Sequence, residues 1–188
     1  MGKIVLVTGG SRSGKSEFAE RYAAKCGKNV GYIATAEVYD SEMAFRVKLH
    51  RERRPHDWQT FEAPYDAHET IAEAGRSSCD TILFDCLTIY VSNILCSMES
   101  ISDSAENYRT MREQIDALIA ASRDFDGTVI FVTNEVGSGI VPENHLAREY
   151  RDIAGLVNQW VGAASDEVYL VTCGIAVNIK NLAANLED

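Results

Sequence analysis

Residues 3–16 read KIVLVTGGSRSGKS, and this stretch decides the fold. Residues 3–8 are a short aliphatic run of the kind that forms a strand buried on both faces. Gly9-Gly10-Ser11-Arg12-Ser13-Gly14-Lys15-Ser16 then satisfies G-x-x-x-x-G-K-[ST] in full, and the segment from Lys15 to Cys26 predicts a helix behind it. A strand, a glycine loop and a helix in that order make a phosphate cradle. The glycines let the backbone curl until successive N–H groups point inward, and the helix start adds its positive end. On this reading Gly9, Gly10, Ser11, Arg12, Ser13, Gly14, Lys15 and Ser16 bind a nucleoside triphosphate. Lys15 reaches the β- and γ-phosphates, and the Ser16 hydroxyl ligates Mg2+.

Outward from this loop, strand-length apolar runs alternate with helical segments. Residues 29–35 (NVGYIAT), 58–62, 81–85 (TILFD), 128–133 (TVIFVT) and 168–172 (VYLVT) read as strands. Residues 41–54, 66–76, 104–123 and 143–163 read as helices, the first capped by Asp40 or Ser41 and stopped by Pro55. Tyr108, Met111, Ile115, Leu118 and Ile119 recur at helical spacing within 104–123. The alternation predicts an α/β fold: a mainly parallel sheet with helices on both faces, in a single domain spanning 1–188.

Composition narrows the function. The 188 residues hold 18 Lys+Arg against 28 Asp+Glu, a formal charge of −10. That field argues against a nucleic-acid partner, because binding a phosphate backbone rests on a basic face. No apolar stretch approaches the roughly eighteen residues of a membrane span, and the opening run ends in glycines rather than a cleavage site. Cys26, Cys79, Cys86, Cys96 and Cys173 are odd in number and never spaced as C-x-x-C, which signals neither zinc nor a disulfide framework. A reducing, cytoplasmic setting follows.

A phosphate loop of this kind works with a carboxylate at the end of a nearby strand, which holds the magnesium shell. Asp85, closing TILFD, occupies such a position, and Glu135, after TVIFVTN, is a second candidate. Each has a plainer alternative: Asp85 capping the next helix in competition with Thr88, and Asn134 and Glu135 serving as turn residues. Glu62, at the end of 58–62, joins the expected nucleotide-binding residues. In the helix over 41–54, Arg46, His50 and Arg53 fall at i, i+4 and i+7 on one face. Flanking guanidinium groups suit a bound polyanion and would keep an imidazole nitrogen free to attack phosphorus. Taken alone, the pattern better describes a solvated basic face with a bystander histidine. Residues 141–144 and 148–152 are polar and loop-like, as residues touching substrate or a neighbouring subunit would be, with Pro142 opening a helix and Arg151–Asp152 pairing on its surface as the structural alternative.

VTGGSRSGKS at 7–16, YIATAE at 32–37 and DSEMAFRVKLHRERRP at 40–55 resemble one known family, as do VTNEVGSGIVPENHLAREYRDIAGLVNQ at 132–159 and GIAVNIK at 174–180. It is the bifunctional adenosylcobinamide kinase/adenosylcobinamide-phosphate guanylyltransferase family of cobalamin biosynthesis. The resemblance runs nearly end to end and implies a RecA-like P-loop fold and assembly as a trimer. It implies that a nucleoside triphosphate, ATP or GTP, phosphorylates the aminopropanol hydroxyl of adenosylcobinamide. GTP then donates GMP to that phosphate through a guanylylated histidine, which the match places on His50, with Arg46, Arg53 and Arg54 available to its phosphates. Against these stand a kinase using the phosphate loop alone, which predicts no covalent GMP, and a nucleotide-driven switch, which predicts slow hydrolysis and no acceptor.

Overall fold

Strict alternation along the strands sorts the apolar side chains into two cores. In β1 (Lys3–Gly9) Ile4 and Leu6 are buried on one side and Val5 and Val7 on the other. β4 (Thr81–Asp85) repeats the pattern with Ile82 and Phe84 against Leu83, and β5 (Thr128–Asn134) with Val129 and Phe131 against Ile130 and Val132. Strands apolar on both faces must be covered on both faces, which is what helical crossovers between parallel strands supply. The computed structural model describes residues 1–37, 55–98 and 104–184.

With β2 (Val30–Ala34), β3 (Gln59–Glu62), β6 (Glu167–Thr172) and β7 (Ile175–Asn178), the sheet has seven strands among the described residues, in the order β3-β2-β4-β5-β1-β6-β7. Every neighbouring pair is parallel except β6 and β7. On the Val5 face lies α1 (Lys15–Cys26), burying Ala19 and Ala23. Small residues there bring the helix close to the sheet. On the Ile4 face lie α2 (Ala67–Arg76), α3 (Leu87–Ser97), α4 (Ser104–Asp124) and α5 (His145–Ala164). Met111, Ile115 and Leu118 of α4 and Ile153, Val157 and Val161 of α5 are buried there, each contributing on the order of 1.5–3 kcal/mol by leaving water.

β6 and β7 form a hairpin whose two-residue turn, Cys173-Gly174, has positive φ at both positions (54° and 77°), with Thr172 paired to Ile175. Such primed turns match the twist of antiparallel strands.

The α/β expectation, the parallel sheet and its helices on both faces all hold. β4 falls where its sequence places it, and most other boundaries move by one or two residues. Neither α3 nor β7 was anticipated. α3, reading LTIYVSNILCS, buries Leu87, Thr88, Tyr90, Val91, Asn93, Ile94 and Leu95, so its apolar residues run all round and give no one-sided periodicity. β7 is short and half exposed. One loop reading needs correction: Arg148–Asp152 lie inside α5, whose cap is Asn144, not Pro142, with Asn144 Oδ1 accepting from the Ala147 N–H at 3.0 Å. The helix over 41–54, with its Asp40 or Ser41 cap, lies outside the described residues.

Candidate active site

Parallel register brings the strand C-termini to one edge. Gly9 of β1 pairs with Asn134 of β5, Val132 of β5 with Asp85 of β4, Asp85 with Ala34 of β2, and Ala34 with Glu62 of β3. The glycine loop, Asp85, Asn134 and Glu62 therefore share the carboxyl edge of the sheet, where open α/β sheets place their ligands.

The loop has the backbone its glycines allow. Gly14 has φ +94° and Arg12 φ 57°. A side chain at Gly9 would drive its Cβ to 2.4 Å from the Val171 carbonyl oxygen, and one at Gly14 to 3.0 Å from Gly174 Cα, while Gly10 faces open space. The Gly174 N–H donates to the Ser13 carbonyl at 2.8 Å, and the Glu135 N–H to the Gly9 carbonyl at 3.1 Å. The loop is thus clamped between the β6–β7 turn and the end of β5. Gly14 is also the N-cap of α1 and offers no side-chain cap, leaving first-turn amides for an external acceptor. The Ser13 hydroxyl is buried without a partner among the described residues. An anion is what this arrangement fits.

Lys15 folds back over the loop, its ammonium donating to the Gly10 carbonyl at 3.2 Å. Burial lowers its pKa, and the fields of Cys86 and Asp85 oppose that shift. A half-desolvated ammonium within the field of Asp85 places the two charges in one site. Asp85 does not cap α3: Cys86 is the cap residue and makes no side-chain cap bond. Instead the Asp85 carboxylate accepts from the hydroxyl of Tyr32, on the neighbouring strand, at 2.8 Å. Thr88 does not cap either, since its Oγ1 accepts from the Asn134 N–H at 2.9 Å. The Asp85–Cys86 peptide is cis, and the buried Cys86 thiol is pushed up to about 11 by desolvation.

Ser16, half-buried in the first turn of α1, and Asp85 make one hydroxyl and one carboxylate. That donor set suits Mg2+, which keeps waters and substrate phosphates in the rest of its shell. Glu135 is exposed and engaged in its own turn, where Oε1 accepts from the Gly137 N–H at 2.6 Å. Glu62 and Arg12 are exposed at the same edge. Arg148 donates to the carbonyls of Pro142 (3.0 Å) and Glu143 (2.6 Å), and Arg151 to that of Gly137 (2.6 Å), so both hold the loop after β5 onto α5. Arg151 is thereby committed to Gly137, not to a surface pair with Asp152. Arg46, His50, Arg53 and Arg54 lie outside the described residues.

Sequence reasoning missed the Cys173-Gly174 turn as part of the site. Its signal was present: a glycine dipeptide between two alternating apolar runs is a hairpin signature. It also missed Tyr32, which alternation puts on the Asp85 face once β2 and β4 are neighbours. That adjacency is not readable from either strand.

All five cysteines are free, and among the described residues no helix is long and apolar enough to cross a membrane. A profile of the family described as cobinamide kinase / cobinamide phosphate guanyltransferase matches residues 5–179. The chain is 46% identical over 182 residues to the bifunctional adenosylcobalamin biosynthesis protein CobU of Salmonella typhimurium, covering 94% of this chain and 99% of that one. It is 45% identical over 182 residues to CobU of Escherichia coli, with the same coverage. The bifunctional adenosylcobalamin biosynthesis protein CobP of Pseudomonas aeruginosa is 39% identical over 178 residues, with 93% and 96% covered.

Proposed function

The chain belongs to the cobinamide kinase / cobinamide phosphate guanyltransferase family, and from that premise we propose that one domain carries out both reactions on a corrinoid substrate. In the first, the aminopropanol hydroxyl of adenosylcobinamide attacks the γ-phosphorus of ATP or GTP, and the bond to the β–γ bridging oxygen breaks. In the second, an imidazole nitrogen of His50 attacks the α-phosphorus of GTP and releases pyrophosphate. An oxygen of adenosylcobinamide phosphate then displaces the histidine, giving adenosylcobinamide-GDP.

The observation that carries this reading is the clamped glycine loop with its uncapped helix start, its Ser13 hydroxyl without a partner among the described residues, and the half-buried Lys15 within the field of Asp85. Phosphoryl transfer asks mainly for positioning and charge neutralisation. The amides of residues 9–16 and the Lys15 ammonium supply both, with Arg12 above them. Ser16 and Asp85 would hold Mg2+, which when bound would supply charge neutralisation to the phosphates. Arg46, Arg53, Arg54 and Glu62 are assigned to the nucleotide around His50, whose covalent step divides one displacement into two. A homotrimer in the cytoplasm completes the reading.

The test is the intact mass of the protein after incubation with Mg2+ and GTP, beside His50→Ala. The expected result is an acid-labile gain of one GMP on the native chain and none on the variant. If neither protein gains mass and no pyrophosphate is released, the chain is a kinase alone.

A further inference from the structure

Asn134 takes no part in the steps above, yet it occupies the centre of the site. It ends β5, the strand between β1, which carries the glycine loop, and β4, which carries Asp85. Alternation puts its side chain on the side of Ile130 and Val132, the face shared with α1, while Thr133 turns the other way to donate to Asn158 Oδ1 at 2.7 Å. Its backbone is held firmly. The N–H donates to Thr88 Oγ1 at 2.9 Å, the carbonyl accepts from Asn158 Nδ2 at 3.1 Å, and the next N–H bonds to Gly9.

What this bracing positions is a carboxamide whose Oδ1 is buried with no hydrogen-bond partner among the described residues. An acceptor left in that state costs about 1–3 kcal/mol, and such atoms in a folded protein call for an explanation. An amide oxygen only accepts. Its missing partner therefore carries a proton on oxygen or nitrogen, which an ionised phosphate does not. In a site that joins an alcohol to a phosphoryl group, the alcohol does.

We propose that Asn134 orients the acceptor alcohol, its Oδ1 accepting the hydrogen bond of the hydroxyl that attacks the terminal phosphorus. The inference rests on the kinase reading. As the new O–P bond forms, the bond to the leaving nucleoside diphosphate breaks. The amide is no base: it aims the hydroxyl, and in a loose transition state the proton leaves late, passing to an oxygen of the transferred phosphoryl group.

The experiment compares native protein, Asn134→Ala and Asn134→Asp with Mg2+, nucleoside triphosphate and adenosylcobinamide. It follows the phosphorylated corrinoid, nucleotide affinity and the thermal midpoint. Asn134→Ala should lose about 10- to 100-fold in turnover, with nucleotide affinity within about twofold and a midpoint unchanged or raised, because the removed oxygen had no partner. Asn134→Asp, which keeps an accepting oxygen, should retain most of the rate. An alanine variant with native turnover overturns the inference, as does one that loses nucleotide affinity in step with turnover or that melts well below the native chain. An aspartate variant slower than the alanine variant overturns it too, because an accepting oxygen then gives no rescue. If the native chain itself makes no phosphorylated product, the kinase reading fails and takes this inference with it.

Discussion

Each end of the parallel sheet joins a lysine, a carboxylate and tyrosine hydroxyl chemistry, and the two groups are used in opposite ways. At the amino end Lys3 donates to Glu167 Oε1 at 2.7 Å and to the Tyr22 hydroxyl at 3.1 Å, while the Tyr22 and Tyr169 hydroxyls donate to Glu167 Oε2 at 2.7 and 2.8 Å. That network pairs its charges within the fold. The bond to Glu167 raises the Lys3 pKa despite burial. At the carboxyl end Tyr32 donates to Asp85, but Lys15 turns to a neutral carbonyl, and burial lowers its pKa. The lysine holds its proton more firmly at one end and less firmly at the other. Charge that is neutralised within the fold braces strand ends; charge that is desolvated but left for a ligand marks the working end.

The sharpest break between the two ends is expected from their lysines. Lys15→Ala should lower kcat/KM for the nucleoside triphosphate by about 10²–10³, the scale of removing one preorganised charge-stabilising donor. Its thermal midpoint should match or exceed that of the native chain, since a desolvated cation is removed. Lys3→Ala should do the reverse, leaving turnover within about twofold and costing up to about 1 kcal/mol, because its ion pair is partly exposed. Steady-state kinetics and melting curves on both variants decide it. A Lys15→Ala protein that melts early and still turns over would erase the distinction.

The tyrosines give a finer cut. Tyr32→Phe removes the donor that fixes one Asp85 oxygen and should raise the Mg2+ concentration needed for half-maximal turnover by about tenfold, the lower end for losing a ligand's supporting hydrogen bond. Tyr22→Phe, at the amino end, should leave the Mg2+ titration unmoved. Equal responses would mean that Asp85 does not depend on Tyr32 for its orientation.

Half of this comparison was legible in the sequence. Lys15 and Ser16 sit in a motif whose spacing is its own mechanism, and Asp85 ends a strand whose apolar run is unmistakable. Lys3, Tyr22, Glu167 and Tyr169 gave no signal, because their meeting depends on β6 lying beside β1 with α1 across them, 164 residues separating Lys3 from Glu167. Asn134 was read as a turn residue for the same reason. Its importance comes from the strand order, which puts β5 between β1 and β4, and no local pattern encodes that order. The histidine segment is the converse case, rich in local pattern through Arg46, His50 and Arg53 and outside the described residues.

The smallest effect is also the most specific, because its size changes with pH in a defined way. Burial pushes the Glu167 pKa up, but the hydrogen bonds from Lys3, Tyr22 and Tyr169 outweigh it and hold the carboxyl below its usual range. A depressed carboxylate stabilises the fold above its unfolded value, near 4.3, and that contribution drains away as pH falls through the lower folded value. Lys3 is raised, so its share is complete below the ordinary lysine value, near 10.4, and is lost as pH climbs toward the folded one. Glu167→Gln should therefore melt lower than the native chain by a few degrees at neutral pH, equivalent to about 1 kcal/mol or less. The gap should be flat between roughly pH 6 and 9, and it should narrow on the acid side as the native glutamate protonates and on the alkaline side as the lysine loses its charge. Turnover at neutral pH should stay within about twofold of native. A gap that grew on acidification would mean Glu167 is held protonated rather than paired, and a loss of turnover would make the amino end part of the machinery it only braces.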